Sequence, residues 1–156
     1  MNYPATIIVL IGAIACAAAE PPALTTIQQV RDSTAAQAGS PIRIRGILTY
    51  HDPSGRTLFL EDHGVGLYIN VPSNLPLIHV GNTIEVTGRR GAVTRVEDPD
   101  VREIGDGLPP NPLPVSGNTV AAGGFENRLV EIRGVVRSAV VEGSHAIIRL
   151  ESERHL

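Results

Sequence analysis

The sequence predicts an all-β chain: a five-stranded Greek-key barrel behind a short helix, then the opening β-hairpin of a second copy. Three observations carry that expectation. Short runs of alternating apolar and polar residues follow one another between Ile42 and Ile104, separated by turn residues at the spacing of small β domains. Gly46 sits inside the longest run, where a bulge or sharp coil belongs. The phrase Ile42-Arg43-Ile44-Arg45-Gly46-Ile47-Leu48 then returns as Val130-Glu131-Ile132-Arg133-Gly134-Val135-Val136. Each copy is followed by a loop and an apolar strand ending in Leu-Glu, Leu60-Glu61 and Leu150-Glu151.

In chain order, residues 1–19 read as a signal peptide. The apolar run from Ala5 to Ala19 is too short for a bilayer core of about 30 Å, and Ala17-Ala18-Ala19 before Glu20 suits a signal peptidase. The only cysteine, Cys16, follows Ala13-Ile14-Ala15 and is the candidate lipidation position of a lipobox-like segment. Residues 20–41 form a helical lead-in. Thr25 or Thr26 can cap a short helix through Ile27, Val30 and Arg31, and Gly39-Ser40-Pro41 stops it.

Residues 42–104 supply the barrel. Ile42 to Tyr50 is the first strand and His51 to Gly55 a turn; Thr57 to Asp62 and Leu67 to Val71 are the next two strands. Centring their turn between His63 and Gly64 pairs Leu58 with Ile69 and Leu60 with Leu67 on a core face. Phe59 then meets Tyr68, and Thr57 meets Asn70, on the opposite face. Thr83 to Gly88 is the fourth strand, and the fifth comes from Ala92 to Val96 or Val101 to Ile104, with Glu97-Asp98-Pro99-Asp100 interrupting. Five short strands with a coiled first strand describe an OB-like barrel, whose closure hides its edges. Residues 105–127 are a Pro/Gly linker with a second lead-in, and 128–156 an incomplete second OB-like repeat.

Composition narrows the function. A formal charge of -3 and a pI near 5.9 argue against nucleic acid as partner, because phosphate neutralisation by basic side chains drives such binding. All 13 basic residues are arginine, which excludes lysine Schiff-base and P-loop chemistry. Beyond Cys16 there is no thiol for disulfides, thiolate metal sites or nucleophilic catalysis.

The segments Leu24-Thr25-Thr26-Ile27-Gln28-Gln29-Val30-Arg31, Pro41 to Tyr50, Leu58-Phe59-Leu60-Glu61-Asp62, Gly66 to Val71 and Gly81 to Gly88 resemble the exported N-terminal region of bacterial sensor histidine kinases, often hybrid ones. The resemblance runs from Leu24 to Glu151 and rests on structural phrases, not catalytic signatures. It implies tandem OB-like domains acting as sensory input outside the cytoplasm, in the periplasm. The chain departs from that family by stopping inside the second repeat, before any transmembrane or kinase region, so kinase activity is not expected of it.

The chemistry then reads as binding, not catalysis. His51-Asp52 and Asp62-His63 fall at opposite ends of one strand, roughly 20 Å apart at about 3.3 Å per residue, and cannot share a metal. No carboxylate pair, Gly-x-Ser-x-Gly elbow or phosphate loop appears, so no catalytic residue, metal or cofactor is expected. The candidate ligand-binding residues are Phe59, Tyr68, Asn70 and Thr57 on the outer face, with Arg89 and Arg90 as anion contacts in the loop after the fourth strand. Arg43, Arg45 and Arg56 can add cations nearby. With Tyr 3 and Phe 2, one tyrosine of them in the signal, no extended stacking track is expected, and Phe59 with Tyr68 also reads as a plain cross-strand pair. The leading expectation is a sensory module for a small ligand or protein partner, touching the membrane only through a signal, lipid anchor or downstream segment. The alternative is a free-standing periplasmic OB protein that binds single-stranded nucleic acid or oligosaccharide; a third is a structural spacer.

Overall fold

A computed structural model describes residues 21–72, 74–92, 96–143 and 145–152; the expected signal segment and Cys16 lie outside the described residues. Helix α1 (Ile27–Asp32) begins at Thr26, whose hydroxyl accepts from the Gln29 amide at 3.1 Å while the Gln29 side chain accepts from the Thr26 amide at 3.2 Å. This reciprocal capping box satisfies two of the amides that a helix start leaves open. Ile27 and Val30, one turn apart, point the same way and are buried against the sheet. A 3-10 turn (Ala35–Gln37) leads to Pro41.

Five antiparallel strands follow: β1 (Pro41–Asp52), β2 (Thr57–Asp62), β3 (Val65–Asn70), β4 (Thr83–Arg90) and β5 (Val96–Gly105). The β2–β3 register is the expected one, with Leu58 opposite Ile69, Phe59 opposite Tyr68 and Thr57 opposite Asn70. Its turn residues His63 and Gly64 have φ of 47 and 75°, the two left-handed positions that a twist-compatible two-residue hairpin requires. β4 returns to the other edge of β1, pairing Ile44 with Val86, and the strand order becomes β3-β2-β1-β4-β5. The chain is thus mostly β, with the Greek-key excursion of an OB-like domain.

Two expectations are corrected. The barrel is not closed: β3 and β5 touch, but no ladder joins them. β5 offers only Val96 and Val101 to the core, and Pro99 withholds a donor, so the seam lacks both the apolar row and the amides to zip. The fifth strand is also one element, not a choice of two flanking segments. It absorbs Glu97–Asp100 through a ladder irregularity opposite Gly88, where a Cβ would lie 2.7 Å from the Glu97 carbonyl oxygen.

The core is aliphatic and continuous. Alternate residues of β1 to β4 (Ile42, Ile44, Leu48, Leu58, Leu60, Leu67, Ile69, Ile84, Val86) join Leu24, Ile27 and Val30 in one buried cluster.

Beyond it, β6 (Leu113–Val115), α2 (Gly117–Ala121), β7 (Val130–Ile132), β8 (Gly134–Glu142) and β9 (His145–Ser152) reproduce the first half of the domain. The parallel bridge Leu24–Ile42 reappears as Leu113–Val130, and the Thr26 cap as Ser116, which accepts from the Thr119 amide. Leu48 opposite Leu60 reappears as Val136 opposite Leu150, each followed by a one-residue register shift. Glu61 accepts from the Leu129 amide at 2.9 Å and ties this second unit to the first.

Candidate functional site

The wall of the sheet facing away from the core carries three rings in a row. Tyr50 of β1, Phe59 of β2 and Tyr68 of β3 lie side by side, each neighbouring pair of centroids 5.7 Å apart and tilted by 46 and 53°. Phe59 and Tyr68 occupy the expected face. Tyr50 was not anticipated, for a definable reason. Strict alternation from Ile42 puts Tyr50 on the core side with Ile44 and Leu48, but the bulge between Leu48 and Tyr50 inserts Thr49 and turns it outward, where it is 50% exposed. The same shift sends His51 inward, leaving its Nε2 buried without a partner. The sequence placed the bulge or coil at Gly46, but Gly46 pairs regularly with Ile84 and the register shift falls between Leu48 and Tyr50.

Two rows flank the rings, one polar and one carrying a single carboxylate. On one side Asp52, Thr57 and Asn70 are aligned across the strands, with the Asn70 amide 3.4 Å from the Tyr68 hydroxyl. Ser54 donates to Asp52 through its hydroxyl at 2.6 Å and its amide at 2.9 Å. The Ser54 hydroxyl and the Gly55 amide hold this carboxyl below its usual range, with help from the charge of His145, so it stays ionised. On the other side Ile47, Glu61 and Gly66 form the row. Here the chain of the second unit crosses: an ideal Cβ on Gly66 would lie 1.9 Å from the Asn127 carbonyl oxygen, so only glycine permits this approach. The ring row is therefore a shallow track bounded by a turn carboxylate on one flank and by Asn127–Leu129 on the other.

The two arginines part company. Both belong to β4, not to a loop after it. Arg89 is exposed and donates to the Gly39 carbonyl at 3.2 Å. Arg90 is buried, and its guanidinium donates to the Ser33 hydroxyl, the Ser33 carbonyl at 3.0 Å and the Gly91 carbonyl. Ser33 is the C-cap of α1, so Arg90 is a structural cation at that helix end and not the anion contact expected of it. Arg43 and Arg45 both grip Glu85, at 3.1 and 2.8 Å, which holds the Glu85 carboxyl below its ordinary value and offsets one of the two guanidinium charges. Arg56 donates to the Val71 carbonyl at 3.0 Å. A cleft of about 510 Å³ lies beside Arg45, Gly46, Ile47, Asp62 and Thr25. Among the described residues no three His, Cys, Asp or Glu side chains gather as a metal site, and no helix is long and apolar enough to cross a membrane.

No protein-family model and no curated protein matches the chain. Solved structures give a distant likeness. A chain of the S. pombe Stn1–Ten1 complex superposes with a TM-score of 0.44 and 19% identity over 55% of this chain and 79% of that one. The telomere capping protein Ten1 from Saccharomyces pombe superposes with a TM-score of 0.41 and 19% identity over 52% and 78%. The overlap is partial, and neither ligand nor partner is carried across from it.

Proposed function

We propose that this chain is a non-catalytic binding module whose Tyr50–Phe59–Tyr68 row stacks the rings of an extended, uncharged polymer, an oligosaccharide segment. The observation that carries this reading is the ring row itself, three aromatics aligned on the solvent side of an OB-like sheet. Such rings supply apolar faces, while Asn70, Thr57 and Asp52 beside them supply the acceptors and donors that sugar hydroxyls need. A phosphate chain on the same track would meet the carboxylates of Asp52 on one flank and Glu61 on the other, against the cation Arg128 of the flanking segment. Charge therefore favours the sugar over single-stranded nucleic acid.

Titration of neutral oligosaccharides and of oligonucleotides of matched length tests this. Tyr50→Ala and Tyr68→Ala are each expected to weaken sugar binding, on the scale of the about 1–3 kcal/mol that one stacked base contributes in nucleic-acid complexes. Unchanged affinity in folded variants would remove the site, and tighter binding of oligonucleotides would replace the ligand.

The repeat favours a second, compatible reading, namely sensory input for a membrane-bound histidine kinase, placed outside the cytoplasm. Its support is the recurrence of lead-in, bridge, glycine and bulge in the second unit, as the tandem arrangement of such regions implies. The genomic reading frame decides it: a transmembrane segment and an ATP-binding core encoded downstream support it, and their absence removes it.

A further inference from the structure

We infer that the cleft over Gly46 binds a small zwitterion of the amino-acid or short-peptide kind, with its carboxylate on Arg43 and Arg45 and its ammonium on Asp62. The cleft exists because β1 changes partners there. Leu24 bridges the start of the strand, accepting from the Arg43 amide at 2.9 Å, and β2 joins it only from Ile47, opposite Glu61. The interval between these two partners is the space of about 510 Å³ lined by Thr25, Arg43, Arg45, Ile47, Asp62 and Thr83. Sites for small molecules have this size, on the order of 300–1,000 Å³. The cleft shares no residue with the ring row, so it stands whether or not sugar binds.

The charges specify the ligand. Glu85 stands across the β1–β4 ladder from Arg45 and accepts from both arginines: Arg43 through Nε and Nη2 at 3.1 and 3.2 Å, Arg45 through Nε at 2.9 Å and Nη2 at 2.8 Å. Only 12% of the Glu85 side chain is exposed, against 64 and 63% for the two arginines, so the carboxylate is the fixed post and the guanidiniums face water. Each is held by its Nε–Nη2 edge, which leaves the Nη1–Nη2 fork for a carboxylate to meet side-on. Two guanidiniums less one carboxylate leave one positive charge on that wall. Asp62 puts one negative charge on the same cleft, and the imidazole beside it, His63 at 3.7 Å, is 93% exposed. A ligand with one carboxylate and one ammonium matches both. A phosphate dianion overfills the spare positive charge and is repelled by Asp62, and a simple amine leaves the guanidinium forks without an acceptor.

The probes are L-alanine, dialanine and trialanine, which set the two charges at increasing separation, titrated into the full chain at low salt and followed by amide NMR shifts. Saturable shifts at Arg43 to Ile47 and at Asp62 with at least one of the three support the proposal. The N-acetylated and the C-amidated forms of that probe are each expected to bind about tenfold more weakly or worse, the scale of one charge-assisted hydrogen bond. Asp62→Asn should make the free and N-acetylated forms bind alike, and Arg45→Gln should do the same for the acid and the amide. Misfolding would not produce these two selective losses. No saturable shift with any of the three, equal binding of the blocked forms by the wild type, discrimination that survives both substitutions, or inorganic phosphate binding as tightly as the best zwitterion would each overturn it.

Discussion

The two units share one backbone plan and differ in what fills it. In the first, Ile27 and Val30 of α1 plug the sheet beside Gly46, where an added Cβ would meet Ile27 at 3.2 Å. In the second, Gly117 follows the cap in place of Ile27, so α2 brings Val120 but no counterpart of the larger plug. The outward positions diverge as sharply: the ring pair Tyr50–Phe59 is replaced by Ser138–Arg149 at the same register. Register, bulge and glycine are therefore properties of the repeated phrase. Burial depends on whether β3, β4 and the helix are there to cover it, and ring stacking belongs to the first unit alone.

The largest expected difference is in stability. Leu60→Ala removes a fully buried side chain and should destabilise the first unit by about 2–5 kcal/mol in chemical denaturation. Leu150→Ala, at the equivalent register, is expected to change stability by less than about 0.5 kcal/mol, because the side chain already faces water in part. Equal losses at the two positions would mean that the second hairpin is covered in solution. Hydrogen exchange gives the same contrast without mutation, with β8 and β9 the least protected strands.

A smaller effect is expected where the units meet. Gly66→Ala places a methyl group against the Asn127 carbonyl and must displace the segment that Glu61 holds through the Leu129 amide. The β2–β3 ladder tolerates alanine, so the sheet should keep its cooperative unfolding while the Leu129 amide exchanges faster. If the whole chain loses cooperativity instead, the junction is part of the first unit's core and not a tether.

How much of this was legible follows the same division. The β2–β3 register could be read because a two-residue turn at His63-Gly64 and alternating Leu58, Leu60, Leu67 and Ile69 leave one solution. The repeat could be read because it is written in the residues. Tyr50 could not, since a bulge reverses facing by one position and alternation carries no mark of where it falls. Arg90 could not either, because its burial depends on the end of α1 arriving beside β4 from the far side of the sequence, a tertiary contact that no local pattern encodes. The open seam at β5 was foreshadowed by Pro99 and its acidic neighbours, which weaken any strand that must pair on both edges.

The smallest expected effect concerns charge. In the first unit Glu85 receives both Arg43 and Arg45 across the β1–β4 ladder, whereas in the second Arg133 reaches only Glu131 of its own strand. The hydrogen bonds from Arg43, and then from Arg45, lower the folded-state value of Glu85 beneath its ordinary 4.5. A depressed carboxylate stabilises the fold above its unfolded value and loses that contribution as pH falls through the folded one. The melting temperature of the wild type should therefore fall more steeply below pH 4.5 than that of Glu85→Gln, with the two profiles parallel above it. Since both arginines are largely exposed, the difference should be small and should shrink with added salt. A Glu85→Gln profile as steep as the wild type would assign the acid sensitivity to Asp52, Glu103 or Glu126, whose carboxyls are also held low, and would leave the β1–β4 pairing to its backbone and aliphatic rows.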